Sequence, residues 1–284
     1  AQIRQLGEVV VLRNSLLHIE INLGKGGRVS RLLDLRSGRE LTEINSSPGN
    51  SGLFGDSFHH PTNNQSDRRY ENSKYLVVDM KEGDKAQLTL ESPAELPLAI
   101  QKTFVLPEKS DTLLVNYQLT NPGQADLTGV FRSMNAFAFP GEEQYIIQFP
   151  EGGRSNSWKA SADIQSNRFI YRPNAGKAQD LFIWKPARDY VFVQGAECAA
   201  ILSVPFPVLD FFYSWMSPNP DGMAVVDWFS TPFQIMPLSK GKAEAILHEV
   251  LSDPLQDYKY QFSMTVRVPA AQEVTYESYR EKAT

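Results

Sequence analysis

The chain has 284 residues, of which 42% are hydrophobic and 21% charged, with a formal net charge of -5 at pH 7. This supplies apolar side chains for a sizeable core and excludes a disordered chain. The acidic balance, with no basic run beyond Asp67-Arg68-Arg69, excludes the electrostatic footprint of a nucleic-acid binder.

Leu17, Ile19, Ile21 and Leu23 alternate with His18, Glu20 and Asn22, the period-2 pattern of a strand with one wet face. Gly24-Lys25-Gly26-Gly27 turns the chain, residues 29–35 run back, and Arg36-Ser37-Gly38 turns it again, so the opening reads as a β-meander. Residues 76–78 and 87–90 flank a polar turn, as do residues 100–106 and 113–119, giving two consecutive hairpins. In the last of these strands Leu113, Val115, Tyr117 and Leu119 share one face. Further strands are expected at 130–139, 145–149, 181–184, 190–193, 199–204, 211–215, 223–228, 233–236, 245–250 and 261–268. Only residues 271–282 read as a short C-terminal helix. Residues 45–72 and 150–176 lack strand patterning and are read as long loops, which in compact domains are usually functional or disordered.

The longest apolar stretch, residues 198–204, is broken by Pro205 and Pro207, far short of the roughly 18 apolar residues that cross a bilayer. No membrane span is expected. Cys198 is the one cysteine and sits in an apolar strand, which reads as a small buried hydrophobe. The start at Ala1-Gln2, without an initiator Met, fits a trimmed chain or a mature chain released from a secretory leader. The second reading places the protein outside the cytoplasm, periplasmic or secreted. Many short strands joined by Pro and Gly turns, with no linker and no fixed repeat, predict one all-β domain over 1–284. Its architecture is a large antiparallel sandwich of two sheets.

Residues 26–41, Gly-Gly-Arg-Val-Ser-Arg-Leu-Leu-Asp-Leu-Arg-Ser-Gly-Arg-Glu-Leu, resemble the opening of galactose mutarotase-like domains, in which a glycine pair precedes a strand and a Gly-Arg-Glu-Leu turn. Ile100-Gln101-Lys102-Thr103-Phe104 with Leu114-Val115-Asn116-Tyr117-Gln118-Leu119-Thr120-Asn121 is similar to the central hairpin of that superfamily, and residues 228–237 to its penultimate hairpin. A similar opening occurs in β-sandwich regions of some glycoside hydrolases. The central hairpin also resembles the periplasmic domain of YidC-type insertases. The resemblance implies a β-supersandwich, a saccharide ligand and no cofactor. If the protein is an enzyme, it implies aldose epimerase-like proton transfer on a sugar. The insertase likeness implies instead a non-catalytic interaction or accessory domain with a protein partner.

An aldose epimerase needs an acid for the ring oxygen and a base for the anomeric hydroxyl, roles filled in mutarotases by two His and one Glu. His59 and His60, in the first long loop, are the candidate catalytic residues, and neighbouring Asp56 is a candidate substrate ligand. No Glu of this chain matches the family's catalytic Glu motif. His18, on the wet face of its strand, reads as solvent-facing, and His248 beside Glu249 matches no family motif. Arg132 and Asn135 interrupt an apolar strand with groups suited to sugar hydroxyls, or to a uronate carboxylate through the guanidinium fork. Asp227-Trp228 and Tyr213-Ser214-Trp215 each set a polar group beside an aromatic one. Asp227, Trp215 and Trp228 are therefore candidate saccharide contacts, with at most one member of each neighbouring pair facing the ligand.

No His or carboxylate cluster has a metal-ligand spacing, so no metal site is expected. Oxygen ligands leave little signature, and a loop calcium at Asp56 or Asp67 stays open. Gly24-Lys25-Gly26-Gly27 is a strand turn with no helix behind it to bind phosphate.

Overall fold

The computed structural model describes residues 1–43, 52–59, 67–155, 164–165, 167–172, 179–216, 223–240 and 258–270. The chain opens with β1 (Gln2–Leu6), β2 (Val9–Arg13), β3 (Leu17–Asn22), β4 (Arg28–Asp34), β5 (Arg39–Glu43), β6 (Gly52–His59) and the helical turn α1 (Arg69–Asn72). Next come β7 (Leu76–Lys81), β8 (Lys85–Glu91), β9 (Ala99–Pro107), β10 (Thr112–Thr120), β11 (Leu127–Phe137), β12 (Tyr145–Gln148), β13 (Gly153–Ser155), β14 (Ile164–Gln165) and β15 (Arg168–Tyr171). β16 (Gln179–Trp184), β17 (Tyr190–Gln194), β18 (Ala199–Ser203), β19 (Leu209–Met216), β20 (Ala224–Ser230), β21 (Phe233–Ile235) and β22 (Lys259–Arg267) follow. The strand expected at 245–250 and the helix expected at 271–282 lie outside the described residues.

Two antiparallel sheets result. The larger has the order β1-β2-β3-β4-β6-β11-β20-β19-β16-β13, with β5 on β4 and β21 on β11, and the smaller runs β14-β15-β12-β17-β18-β22-β10-β9-β8-β7. Strict alternation sets the centre of the smaller sheet: in β9 and β10 every second residue is buried, and Leu113, Val115, Tyr117 and Leu119 all face inward as their spacing predicts. Tyr117 and Phe262 from this sheet meet Phe131 and Trp228 from the larger one in a ring cluster, with centroids 4.8 to 5.6 Å apart. Cys198 belongs to the core, and burial pushes its thiol up to about 12. The folded protein is therefore expected to leave a thiol reagent such as Ellman's unreacted, with one thiol appearing on denaturation; prompt labelling of native protein would refute that placement.

The sequence expectation fails in the two stretches read as loops. Residues 52–59 form β6, a central strand paired with both β4 and β11 and buried at every position. A strand covered on both faces has no wet side and so no alternation to detect. Gly52 shows how tightly it is held: its φ is 95°, and a Cβ there would stand 2.3 Å from the Val29 carbonyl oxygen. Residues 150–176 likewise contribute β13, β14 and β15, too short to establish a pattern. β1 and β2, also unread in the sequence, extend the larger sheet to its edge.

The core contains an ion pair. Lys102, in phase with Ile100, Phe104 and Leu106 on β9, is fully buried and reaches across to Asp56 on β6, 2.7 Å away. Its ammonium also donates to the carbonyls of Gly26 and Phe54, both at 2.9 Å, which accounts for all three of its protons. Tyr75 donates to the same Asp56 oxygen at 2.9 Å.

Candidate functional site

Register on β6, β11, β20, β19 and β16 decides which side chains share the face of the larger sheet turned away from the smaller one. On β11, Phe131 enters the core, so Arg132 points outward. Arg132 lies opposite Ser57 on one side and Phe229 on the other; Phe229 lies opposite Phe211, and Phe211 opposite Trp184. Two residues before Phe229, Asp227 faces the same way, opposite Tyr213.

These residues are locked together. Arg132 donates through Nε, at 2.9 Å, and through Nη2 to Oδ2 of Asp227. Asp227 is fully buried, and its Oδ1 accepts the Asn135 N–H at 3.1 Å. Burial works against the Arg132 charge, but Asp227 outweighs it and holds the guanidinium above its ordinary value. The guanidinium carbon sits 5.3 Å from the Phe229 ring centroid, within cation–π range. Phe229 stacks on Phe211 at 4.4 Å, and Trp184 leans on Phe211 at 4.3 Å. Stacked rings spend their faces on each other. Trp215 is different: it is 37% exposed and has no ring partner among the described residues.

His59 ends β6 on this outer face, not in a loop as the sequence suggests. Its ring meets Phe229 edge-on at 5.6 Å, and Nε2 lies 3.3 Å from Ser57 Oγ. His60 falls outside the described residues, as do Trp158 and His248. His18 stays on the rim of its strand, 3.0 Å from Glu20.

Three expectations are corrected by burial. Trp228 alternates with Asp227 and Phe229, so it points into the core, where it is fully buried and its indole N–H donates to Met264 Sδ at 3.3 Å. Asp56 lies opposite Ser133 on the core side of β6, where it serves Lys102 and Tyr75 in place of a ligand. Asn135 is a brace: its side-chain oxygen accepts the N–H of Phe54, which has a φ of 59°, and steadies the irregular pairing between Met134 and Ala136. Asp67 is engaged by Arg69. Among the described residues no group of three or more His, Cys, Asp or Glu could hold a metal ion.

Two charged residues that the sequence did not single out join the outer face. Arg28, from β4, lies over Gly55, 3.4 Å from where a Cβ would stand, and donates to the carbonyls of Lys25 at 2.8 Å and Glu71 at 3.3 Å. Glu71 comes from α1, which docks so closely that a Cβ on Gly26 would meet the Tyr70 carbonyl at 2.4 Å. Its side chain is only 3% exposed, and its Oε2 has no hydrogen-bond partner among the described residues. Burial holds the carboxyl above its usual range, against the charges of Arg28, Arg68 and Arg132 and in concert with that of Asp227. Arg28 had a signal in its place beside the Gly26-Gly27 pair; Glu71, in a polar segment of no period, had none.

No family model matches the chain, and no curated protein matches it. Solved structures do. A TPR-domain containing protein from Parabacteroides distasonis superposes with a TM-score of 0.65 at 12% identity over 95% of this chain, which spans 48% of that protein's length. The Slr1438 protein from Synechocystis sp. PCC 6803 gives 0.67 at 12% identity, covering 94% of this chain and 96% of its own. A galactose mutarotase-like protein from Clostridium acetobutylicum gives 0.61 at 10%, with 94% and 97% covered. At these identities the likeness shows the fold alone: the chain is an all-β sandwich of two sheets whose fold is similar to that of the galactose mutarotase-like protein.

Proposed function

We propose that the protein binds a carbohydrate on the outer face of its larger sheet, with Arg132, held in place by buried Asp227, and with His59 and Trp215 at the ligand. The observation that carries this reading is the convergence of Arg28, Glu71, Arg132 and Asp227, from four separate elements, on the face that also exposes the Trp215 ring, unstacked among the described residues. Buried hydrogen-bonding groups next to ring faces suit a hydroxylated ring with one apolar side. Proton-transfer chemistry without a redox cofactor is the reaction class this site would serve.

The test is a saccharide array followed by calorimetry on the hits, with Arg132→Gln as the variant because Gln still donates to Asp227. Binding is expected to weaken at least about tenfold, or about 1.4 kcal/mol, with unchanged circular dichroism. A flat array across neutral and acidic saccharides would count against the proposal.

A second reading, an accessory domain that docks on protein, is favoured by one feature. Edge strand β7 leaves Leu76, Val78 and Met80 between 41% and 59% exposed around a bulge at Val78, and exposed apolar edge strands pair with other chains.

A further inference from the structure

Glu71 is expensive to the fold in its present state. A carboxylate out of water is tolerated when its oxygens are hydrogen-bonded, yet its Oε2 is sealed from solvent with no partner among the described residues. The neighbouring Arg28 reaches the backbone here, donating to the carbonyls of Glu71 itself and of Lys25 and not to that oxygen. Nor is the position an accident of a loose segment. α1 is pinned on the core side by Tyr70, whose hydroxyl donates to the Leu98 carbonyl at 3.1 Å and accepts the Leu98 N–H at 2.9 Å. The Tyr70 ring goes inward, and the next residue is delivered to the charged group formed by Arg28, Arg132 and Asp227. A buried acceptor held without a donor, beside hydrogen-bonding groups of a candidate site, has the form of half an interaction.

We infer that Glu71 is a ligand-contacting residue of the outer-face site, its Oε2 accepting a hydrogen bond from a saccharide hydroxyl; this rests on the carbohydrate reading above. The ligand hydroxyl supplies the missing donor, and the hydrogen bond favours the ionised carboxylate. Binding then lowers the carboxyl's proton affinity from the raised value it has in the free protein, so ligand association releases a proton. The charged groups that act on its carboxyl are Arg28 on β4, Arg68 just before α1, Arg132 on β11 and Asp227 on β20, and His59 ends β6 on the same face of the sheet. Of these only His59 ordinarily titrates near neutrality, so it is the competitor to separate.

Calorimetry with D-galactose, D-glucose and D-glucuronate, in buffers of different ionisation heat and over about pH 4–8 to span the carboxyl and imidazole ranges, tests this. The wild type is expected to release up to one proton per bound ligand; His59→Gln, itself at the ligand, is expected to bind more weakly yet still release that proton per ligand bound, whereas Glu71→Gln loses the release along with at least tenfold in affinity. Binding with no proton release, or with release unchanged in Glu71→Gln, overturns the role of Glu71 and leaves the carbohydrate reading standing. No heat with any of the three overturns both. Stability gives a second, ligand-free readout. A raised carboxyl favours the fold at low pH and loses that advantage as pH rises through its folded value. Glu71→Gln is therefore expected to melt higher than wild type at pH 8 and to match it below about pH 4, near the unfolded carboxyl value. A variant that melts lower at pH 8 would show that Glu71 has a partner in the free protein and overturn the inference.

Discussion

Replacing Lys102 by Met is expected to lower the unfolding free energy by about 3–5 kcal/mol, the usual loss when one member of a buried ion pair is removed. Three acceptors lose the ammonium together: the carbonyls of Gly26 and Phe54, and the Asp56 carboxylate, which keeps only the Tyr75 hydroxyl as donor. Met fills nearly the same space, so the loss is electrostatic and not a cavity. Asp56 is fully buried, and with Lys102 gone its charge would face the rings of Tyr75, Phe104 and Tyr117, which surround the ammonium at 5.0 to 5.9 Å. Asp56→Asn in the same chain removes the stranded charge while keeping an acceptor for Tyr75, so the double variant should recover much of the loss. Urea unfolding of the two single variants and the double one gives the coupling. A Lys102→Met protein within about 1 kcal/mol of wild type would show that the pair contributes little to the fold.

Trp228 and Trp215 should separate cleanly, although the sequence presents them alike. Trp228→Ala is expected to cost about 3–5 kcal/mol, as large aromatic truncations in cores do. It removes the ring packed on Phe131 and Phe262, each 5.6 Å away, and the indole contact to Met264. Trp215→Ala should stay within about 0.5 kcal/mol of wild type in stability, as exposed substitutions do, and weaken saccharide binding instead. Thermal melts beside calorimetry measure both. If Trp228→Ala bound sugar poorly while melting normally, the Trp228 side of β20 would have to face the ligand and not the core; if Trp215→Ala bound normally, the aromatic contact lies elsewhere.

The contrast also shows how far the sequence alone reaches. Strands with one dry and one wet face announced themselves: β3, β9 and β10 carry unbroken alternation, and the hairpins between β7 and β10 follow from their turns. The sandwich was legible from those alone. β6 was not, because it lies between β4 and β11 with both faces covered, and Gly52, Gly55, Asp56 and Ser57 read as loop residues. That one misreading carried the site with it. Once residues 52–59 are a strand, Asp56 and His59 must face opposite ways, and adjacency in sequence stops meaning adjacency at a ligand. Arg132 and Asp227 were legible as polar interruptions of apolar strands, but their pairing joins positions 95 residues apart and needed the β11–β20 register. Lys102 carried a signal that was there to be used, a cation in phase with Ile100, Phe104 and Leu106.

The paired hydrogen bonds between Tyr70 and Leu98 join two parts of the molecule with different tasks. Leu98 adjoins β9 in the smaller sheet, which presents no charged group to the outer face of the larger one, yet through Tyr70 it sets where α1 rests and so where Glu71 stands. On the carbohydrate reading, the sheet remote from the proposed ligand thus acts as the mount for a group on the ligand's side. Substitutions near Leu98 would be expected to alter recognition at a distance, and a screen confined to the binding face would not find them.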